Sequence, residues 1–419
     1  MPRSIAAALA ALLSCLLAAC ATSAPPAEPA SRVPVVLISL DAFHPDYLDR
    51  GLTPTLAALA RSGARAQWLN PSYPSLTFPN HYTLVTGMRP DRHGVVHNAM
   101  WDAELQTFRV QDDAAVSDAR WWGGEPIWVG VERSGRRAAV IAWPGSRAPV
   151  AGQRPTHLEA YDESVPPEAR FAQVLEWLAL PEPQRPALIA VYLSELDRVS
   201  HDFGPDSPQT REMLRRLDAA FARMIAALRK RGQWDRVNLL VVSDHGMAPV
   251  PPGQWIAMED MVSFDDAMPV SDGQSVGFNP RPGREAAAER RLLGRHPHYE
   301  CWRRQELPKR WQYGTHPRVP AIVCQMDEGW DAKLREALAR RPKGQTRGSH
   351  GYDPALPSMR ALFVAHGPAF RRGAVLPPLD NVHVYPLLAE LTGVRAAPNE
   401  GSLAVWRAAL ADPRGTPAP

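Results

Sequence analysis

Five apolar runs recur along the chain, and they constrain its fold more than any other feature. The runs are rich in Val, Ile and Leu without polar alternation, and they cover residues 33–40, 138–143, 187–193, 237–243 and 361–366. Strands buried on both faces of a parallel sheet have this pattern. Helical periods lie between or after them, at residues 54–62, 125–135, 168–179, 209–231 and 382–392. The alternation predicts an α/β fold, a doubly wound and mostly parallel sheet with helices on both faces.

The composition argues against a disordered protein and against a protein that binds nucleic acid. Hydrophobic residues make up 45% of the 419 residues and charged residues 22%, which excludes a disordered chain. The formal net charge is +3 and no polybasic stripe is present, so we expect no nucleic-acid polymer as a partner. The 43 prolines are about twice the average share and indicate rigid loops between the apolar runs.

The first 20 residues form a predicted leader. An Arg precedes a short, Ala-rich apolar run, and Leu17-Ala18-Ala19-Cys20 resembles a bacterial lipobox. The run is too short for a good transmembrane helix. We therefore expect a lipoprotein signal peptide at 1–20, a membrane anchor through a lipid on Cys20, and export to the periplasm or the outer membrane. The alternative is an ordinary signal peptide that is cleaved near Ala21.

Beyond the leader, the pattern changes at three points. The predicted parts are a polar, Pro-rich tether at 21–32, a large domain at 33–405 with an inserted cap region at 250–345, and a tail at 406–419. The cap region is rich in Pro and Gly and shows weaker periodicity than its surroundings. It also contains Cys301 and Cys324, the two cysteines that follow the leader. An exported chain favours a disulfide between such a pair, and two buried free thiols are the alternative.

Aspartate and histidine residues follow the apolar runs, where a doubly wound sheet places its ligands. The candidates are Asp41 after the first run, Asp197 and His201 after the third, Asp244 and His245 after the fourth, and His350 in a late loop. The spacing of Asp197 and His201 places both side chains on one face of a helix. Gly246 permits a turn that lets its two neighbours reach one metal. Three Asp and three His suit two zinc ions, although each residue taken alone would more often be structural.

Thr77 is the candidate nucleophile. It lies where a loop opens a predicted helix that ends near Gly87, with Pro79 in the first turn. The free N–H groups and the positive end of the helix dipole at such a position suit an anionic phosphoryl group. A hydroxyl held near a zinc ion would have a lowered pKa and could act as a nucleophile. A helix-capping threonine is the alternative.

Taken in order, these motifs resemble the nucleotide pyrophosphatase/phosphodiesterase family of the alkaline phosphatase superfamily, and especially its bacterial, Xanthomonas-type branch. The shared motifs are Asp41, Thr77-Phe78-Pro79-Asn80-His81-Tyr82, Asp197-x3-His201, Asp244-His245-Gly246 and His350-Gly351-Tyr352-Asp353. The stretches at 119–130, 143–146, 307–318 and 347–360 support the likeness, which covers about residues 33–400. Leu76 precedes Thr77 at a position where the animal members commonly carry Lys.

The resemblance implies a hydrolase with two zinc ions per chain. It assigns one zinc to Asp197, His201 and His350, and the other to Asp41, Asp244 and His245 beside Thr77. The implied reaction is hydrolysis of a phosphodiester or phosphoanhydride bond of a nucleotide. It proceeds through a phosphothreonine intermediate and releases a nucleoside 5'-monophosphate.

The resemblance also assigns substrate contacts. Asn98 and the N–H of Phe78 would donate to a phosphoryl oxygen, whereas Phe78, Tyr161 and Tyr192 would line the pocket of the nucleotide base. From the residues alone, Asn98 would be a turn residue and the three aromatic residues core packing. We expect a monomer that acts on a small-molecule nucleotide. The alternatives are a phosphonate or lipid head-group hydrolase of the same superfamily, and a non-catalytic surface lipoprotein.

Overall fold

All five apolar runs form strands that are buried side by side. A computed structural model describes residues 33–411, so the predicted leader, the tether and residues 412–419 lie outside the described residues. The strands up to residue 250 are β1 (Val35–Leu40), β2 (Ala64–Ala66), β3 (Leu69–Asn70), β4 (Ala99–Asp102), β5 (Gln106–Arg109), β6 (Ala138–Ile141), β7 (His157–Glu159), β8 (Leu188–Leu193), β9 (Asn238–Val242) and β10 (Ala248–Val250). The later strands are β11 (Trp255–Ala257), β12 (Ala267–Ser271), β13 (Ser275–Pro280), β14 (Gly294–His296), β15 (Tyr299–Arg303), β16 (Ile322–Met326), β17 (Asp331–Lys333), β18 (Arg347–Ser349), β19 (Phe363–His366), β20 (Ala374–Leu376) and β21 (Leu379–Asp380).

Within residues 33–411 the main sheet has eight strands in the order β20-β2-β19-β9-β1-β8-β6-β7. The five strands from β9 to β7 in this order are parallel, as predicted. The fifth run differs, because β19 is antiparallel to both β9 and β2. The chain leaves β9 and enters β19 at the same edge of the sheet, so the direction of β19 is reversed. The doubly wound, mostly parallel α/β class is confirmed, with this one strand as the correction.

The α-helices are distributed along the whole of residues 33–411. They are α1 (Pro54–Ser62), α2 (Thr77–Thr86), α3 (Pro90–His93), α4 (Asp113–Ser117), α5 (Ile127–Arg133), α6 (Pro167–Ala179), α7 (Glu195–Phe203), α8 (Pro208–Lys230), α9 (Met258–Met261), α10 (Glu285–Leu292), α11 (Arg335–Ala339) and α12 (Val384–Thr392). The five predicted helical periods correspond to α1, α5, α6, α8 and α12. Among the described residues, none of the helices is long and apolar enough to cross a membrane.

Helix α1 obtains its N-terminal cap from another helix. Its own N-cap residue, Thr53, makes no capping hydrogen bond with its side chain. Instead, the buried carboxylate of Asp218 in α8 accepts hydrogen bonds from the N–H groups of Thr55 and Leu56, at 3.0 and 2.9 Å. The first N–H groups of a helix have no partner within the helix, so this contact satisfies them and joins the two helices.

The region predicted as a cap contains a second, antiparallel sheet. Its strand order is β12-β13-β16-β15-β14. A separate cluster of buried side chains packs on this sheet and includes Val276, Phe278 and Ile322. Cys301 in β15 and Cys324 in β16 are directly opposite each other and form a disulfide. The predicted disulfide is therefore confirmed, whereas the limits 250–345 of the cap region stay a prediction.

Packing continues beyond residue 405, where the large domain was predicted to end. The indole of Trp406 is fully buried, and its ring centroid lies 4.4 Å from that of Phe363 in β19. Its Nε1 donates a hydrogen bond to the carbonyl oxygen of His383 at 2.7 Å. Trp406 therefore attaches this part of the chain to the main core.

Replacement of Trp406 by Ala should lower the free energy of unfolding by roughly 3–5 kcal/mol, because a fully buried aromatic side chain is lost and a cavity remains. Trp406→Phe is the matched control, since it keeps an aromatic ring and loses the Nε1 hydrogen bond. We expect it to cost clearly less. Denaturant unfolding followed by circular dichroism measures both. A similar small change in the two midpoints would contradict the anchoring role.

Candidate active site

The metal-ligand candidates meet at the carboxyl ends of three adjacent strands. Asp41 directly follows β1, the pair Asp244 and His245 follows β9, and Asp197 lies in the first turn of α7, which begins just after β8. Because β9, β1 and β8 are parallel neighbours, their carboxyl ends lie at one edge of the sheet. Strand order therefore explains why residues so distant in sequence converge.

The first ligand set consists of Asp41, Asp244 and His245, all of them buried. The Nε2 of His245 lies 2.9 Å from Oδ2 of Asp244 and 3.5 Å from Oδ1 of Asp41. Both of these carboxylate oxygens are buried without a hydrogen-bond partner. A buried carboxylate oxygen normally has a donor, so these oxygens fit a bound cation.

The second predicted ligand set consists of Asp197, His201 and His350, and the structure also brings His245 within ligand distance of Asp197 and His350. The Nε2 atoms of His201 and His350 lie 3.4 and 3.5 Å from Oδ1 of Asp197, another buried oxygen without a partner. The two Nε2 atoms are 3.0 Å apart. His245 also contacts this set, because its ring stacks on that of His350 at a centroid distance of 3.6 Å. The two ligand sets are thus in direct contact.

Backbone carbonyl groups fix the orientation of the three imidazoles. The Nδ1 atoms of His201, His245 and His350 each lie 2.9 Å from a carbonyl oxygen, that of Gly348, Gly246 and Ser75 respectively. A carbonyl oxygen can only accept, so each Nδ1 is the donor, and each Nε2 faces the site, where it can bind a metal in the neutral form of the ring. This is the usual arrangement of metal-ligating histidines.

The electrostatics of the site also fit a cation. Burial raises the pKa of Asp41 well above its usual value, and the charges of Asp244 and Asp197 raise it further. Burial likewise raises the pKa of Asp197. Burial opposes ionisation of Asp244 too, but His245 and His81 outweigh it and hold this pKa well below its usual range. Carboxylate oxygens and imidazole nitrogens together suit zinc.

Thr77 is the first residue of α2, one position later than a capping residue. Leu76 occupies the N-cap position, and α2 ends before Gly87, which adopts a left-handed backbone conformation. The Thr77 side chain is buried, and its Oγ1 lies 3.3 Å from Nε2 of His245. The hydroxyl therefore faces the first ligand set and does not cap the helix.

Asn98 lies beside the start of the same helix. Its Oδ1 accepts a hydrogen bond from the backbone N–H of Phe78 at 3.0 Å. With the oxygen engaged in this way, the Nδ2 group is left to donate elsewhere. The structure therefore brings Asn98 and the Phe78 N–H together next to Thr77, and their contact with a phosphoryl oxygen stays a prediction.

The predicted base-pocket residues line one cavity of about 590 Å³, a typical size for a small-molecule site. Phe78, Tyr161 and Tyr192 all belong to its walls, together with Thr77. Tyr161 is 46% exposed and lies at the mouth of the cavity, where its hydroxyl is 3.1 Å from Oγ of Ser194. Tyr192 is buried, and its hydroxyl donates to Oδ2 of Asp41 at 2.6 Å. Tyr192 therefore also orients a metal-ligand candidate, which sequence reasoning did not predict.

His81 is a further site residue whose role was missed. Its Nδ1 lies 2.9 Å from the carbonyl oxygen of Thr77 and 3.2 Å from Oδ2 of Asp244, and its Nε2 lies 2.8 Å from Oγ of Ser39. His81 thus joins the first turn of α2 to the ligand set. The available signal was its spacing of four residues from Thr77, which places both on one face of the helix.

Gly246 is required for a reason other than the predicted turn. Its backbone is not left-handed, and a Cβ atom at this position would lie 2.2 Å from the carbonyl oxygen of Ser358. The segment that contains Ser358 lies so close that no side chain fits at position 246. The carbonyl group of Gly246, in turn, is the one that orients His245.

Comparison with known proteins agrees with this geometry. The family model of type I phosphodiesterase / nucleotide pyrophosphatase matches residues 35–353. The chain belongs to this family. An uncharacterized pyrophosphatase/phosphodiesterase of Schizosaccharomyces pombe is 35% identical over 387 residues, which cover 88% of this chain and 78% of the relative. Ectonucleotide pyrophosphatase/phosphodiesterase family member 3 of Rattus norvegicus is 33% identical over 399 residues, which cover 92% of this chain and 45% of the relative.

Solved structures support the same assignment. Murine ectonucleotide pyrophosphatase / phosphodiesterase 5, as an inactive variant in complex with AMP, aligns with a TM-score of 0.85 and 31% sequence identity. The alignment covers 90% of this chain and 100% of that chain. The chain spans about half the length of the venom and rodent relatives that it matches. The predicted family and its class of enzyme, a hydrolase, are therefore confirmed.

Replacement of Asp197 by Ala should remove bound metal, because within residues 33–411 Asp197 supplies the one carboxylate that pairs with both His201 and His350. We expect the zinc content per chain, measured by mass spectrometry of the purified protein, to fall by about half relative to the wild type. Asp202→Ala, on the same helix but outside both ligand sets, is the matched control. Unchanged zinc content in Asp197→Ala would remove this residue from the ligands.

Proposed function

We propose that this protein is a two-zinc nucleotide phosphodiesterase/pyrophosphatase that releases a nucleoside 5'-monophosphate through a phosphothreonine intermediate. The observation that carries the proposal is the position of the Thr77 hydroxyl. It lies at the junction of two converging ligand sets and on the wall of a cavity with aromatic side chains. The names of the relatives and the AMP bound to the murine neighbour support a nucleotide substrate.

The donor sets fit zinc, and the roles of the ligands follow from their position. Asp41, Asp244 and His245 would hold the ion beside Thr77, and Asp197, His201 and His350 would hold the other. When bound, the ions supply positive charge for the Thr77 alkoxide, for the phosphoryl oxygens and for the departing oxygen. Tyr192 and His81 keep Asp41 and Asp244 in position through the contacts described above.

The reaction then consists of two displacements at phosphorus. In the first, Oγ1 of Thr77 forms a bond to phosphorus, its proton passes to water, and the leaving oxygen departs with the bonding electron pair. In the second, water cleaves the phosphothreonine, regenerates the hydroxyl and releases the nucleoside monophosphate. The Asn98 Nδ2 group would donate to a phosphoryl oxygen as its charge increases, and the backbone N–H of Phe78 would join it by exchanging its hydrogen bond to Asn98 Oδ1 for one to the substrate.

The residues around Thr77 favour a diester over a monoester. Phe78 follows the nucleophile, and an apolar ring suits an organic substituent on the phosphate better than a further anionic oxygen. Phe78 and Tyr161 on the cavity walls would hold the base between them. This selects a phosphate that carries a nucleoside.

Export and anchoring are part of the same proposal. Relatives named as an ectonucleotide pyrophosphatase/phosphodiesterase and as a venom phosphodiesterase support an exported protein. The lipoprotein signal at 1–20, the lipid on Cys20, the tether at 21–32 and the monomeric state stay predictions. The same holds for the special likeness to the bacterial, Xanthomonas-type branch.

A comparison of three chromogenic substrates tests the proposed activity. The substrates are p-nitrophenyl thymidine 5'-monophosphate, bis-p-nitrophenyl phosphate and p-nitrophenyl phosphate. We expect the nucleotide diester to be hydrolysed with a kcat/KM at least about tenfold above the others, because only it fills the aromatic cavity. A chelator should abolish this activity, and zinc should restore it. Preference for the monoester would overturn the substrate assignment.

Replacement of Thr77 by Ala should lower kcat for the nucleotide diester by a factor on the order of a thousand or more, because no side-chain oxygen remains to attack phosphorus. Zinc content should stay at the wild-type level, since the six other ligand candidates are unchanged. Thr77→Ser keeps a hydroxyl and should retain measurable turnover. Wild-type turnover in Thr77→Ala would exclude the phosphothreonine.

A further inference from the structure

The amino ends of the parallel strands form the edge of the main sheet that lies opposite the ligand sets. Three segments meet there: the end of α8 with the turn that leads into β9, the segment that follows β19, and the end of α1 before β2. We call the exposed surface of these segments the distal edge. It carries six exposed cations, namely Arg61, Arg229, Lys230, Arg236, Arg371 and Arg372. The proposed reaction, at the other edge of the sheet, makes no use of them.

Contacts between the three segments join the distal edge into one surface. The guanidinium of Arg229 lies over the ring of Trp234, 5.3 Å from the ring centroid, and the same indole stacks on His366 at 4.1 Å. The segment after β19 also approaches α1, because a Cβ atom at Gly373 would lie 3.9 Å from the carbonyl oxygen of Arg61. The cations are therefore carried by segments that touch one another.

The charges of this surface are not balanced. Residues 229–236 contain one carboxylate, that of Asp235, and residues 366–373 contain none. None of the six cations makes an ion pair within residues 33–411. Arg231, which lies among them in the sequence, does pair with Glu176. The distal edge therefore presents an excess of positive charge to a partner.

Helix dipoles explain only part of this excess. Arg61, Arg229 and Lys230 lie in the last turns of α1 and α8, where cations are favourable in any protein. Arg236, Arg371 and Arg372 lie outside the helices, so the dipoles do not account for them. Clustered cations of this kind attract a negatively charged surface.

An apolar groove adjoins the cations and narrows the choice of partner. It has a volume of about 480 Å³ and lies between α1 and α8, with Leu59 and Ile225 in its walls. Arg229 and Trp234 of the distal edge also line it. Arg and Trp side chains beside apolar surface are typical of proteins that lie at a membrane interface. A phospholipid matches both features, whereas a nucleic acid would use the cations and leave the groove empty.

The described chain also enters the fold at this edge. The N–H of Asn238 donates a hydrogen bond to the carbonyl oxygen of Pro34 at 2.9 Å, so the chain before β1 lies beside the residues that follow Arg236. Cys20, the predicted site of the lipid, precedes Pro34 by 14 residues. A chain of this length reaches at most about 50 Å. A lipid on Cys20 would therefore keep the distal edge, rather than the edge with the ligand sets, close to the membrane.

We propose that the distal edge binds the anionic head groups of a phospholipid bilayer. Arg229, Arg236 and Arg372 contact the phosphate groups, and Trp234 lies at the level of the head groups. In this orientation the ligand sets face away from the bilayer and stay open to substrate. The binding does not depend on the proposed activity, and the proposed anchoring only brings the surface to the membrane.

Vesicle binding of the full chain tests this surface. Cys20→Ser removes the predicted site of the lipid and serves as the parent protein. It is sedimented with vesicles of phosphatidylcholine, either alone or with about 30% of the anionic phosphatidylglycerol. Replacement of Arg229, Arg236 and Arg372 by Gln in this parent should lower the partition coefficient on the anionic vesicles about tenfold to a hundredfold, because each cation near such a surface adds to the binding. Added salt should weaken the binding of the parent.

A second triple variant is the matched control. Arg92, Arg211 and Arg290 are exposed, make no ion pair within residues 33–411 and lie outside the distal edge, with Arg211 at the other end of α8. Their replacement by Gln removes the same charge, and binding to the anionic vesicles should stay within about twofold of the parent. On phosphatidylcholine alone the two triple variants should not differ. Equal binding of the two to anionic vesicles, or a difference that persists on phosphatidylcholine, would overturn the proposal.

Hydrolysis of p-nitrophenyl thymidine 5'-monophosphate without vesicles separates this proposal from the proposed function. The triple variant of the distal edge should keep the kcat/KM of the parent, because its residues lie across the sheet from the ligand sets. An unchanged kcat/KM also shows that the fold is intact. A parent that hydrolyses no nucleotide but binds anionic vesicles through these arginines would overturn the proposed function and support the membrane surface.

Discussion

Three aspartates that have too few hydrogen-bond donors for their carboxylate oxygens lie at one edge of the main sheet. The rest of the site is organised around them. Asp41, Asp197 and Asp244 are brought together by the adjacency of β1, β8 and β9. Each has a buried oxygen that makes no hydrogen bond within residues 33–411. Such a concentration of negative charge is costly in a protein interior unless cations balance it. Histidine Nε2 atoms face these oxygens, and the hydroxyl of Thr77 lies beside them. The groups that would bind the cations and the candidate nucleophile are therefore neighbours.

The supporting residues restrict the freedom of this cluster. Backbone carbonyl groups accept hydrogen bonds from the Nδ1 atoms of three histidines. Tyr192 donates a hydrogen bond to Asp41, and His81 contacts Asp244. Two cavities extend from the cluster, one lined by aromatic side chains and the other by cations. A nucleotide has the same division, with a flat apolar base at one end and phosphates at the other. The proposed nucleotide substrate would therefore match the arrangement of the walls.

Much of this arrangement could be predicted from the sequence, for a physical reason. Strands buried on both faces, such as β1 and β8, need unbroken apolar runs, and their carboxyl ends locate the ligands. The short strands β2 and β20 leave no such signal, and neither does the antiparallel direction of β19, which depends on where the chain re-enters the sheet. His81, the orienting role of Tyr192 and the cationic cavity depend on contacts between distant segments. A single sequence does not reveal such contacts without a known structure.

The ligand sets also have a consequence for biosynthesis. His245 and His350 stack on each other, yet the entire second sheet lies between them in the chain. Asp41 comes near the start of the described chain, whereas His350 comes after the second sheet, so the two sets are complete only after all of the chain between them has been translated. A chain truncated before residue 350 would retain Thr77 and both cavity-lining tyrosines, but it would lack the imidazole that joins the two sets.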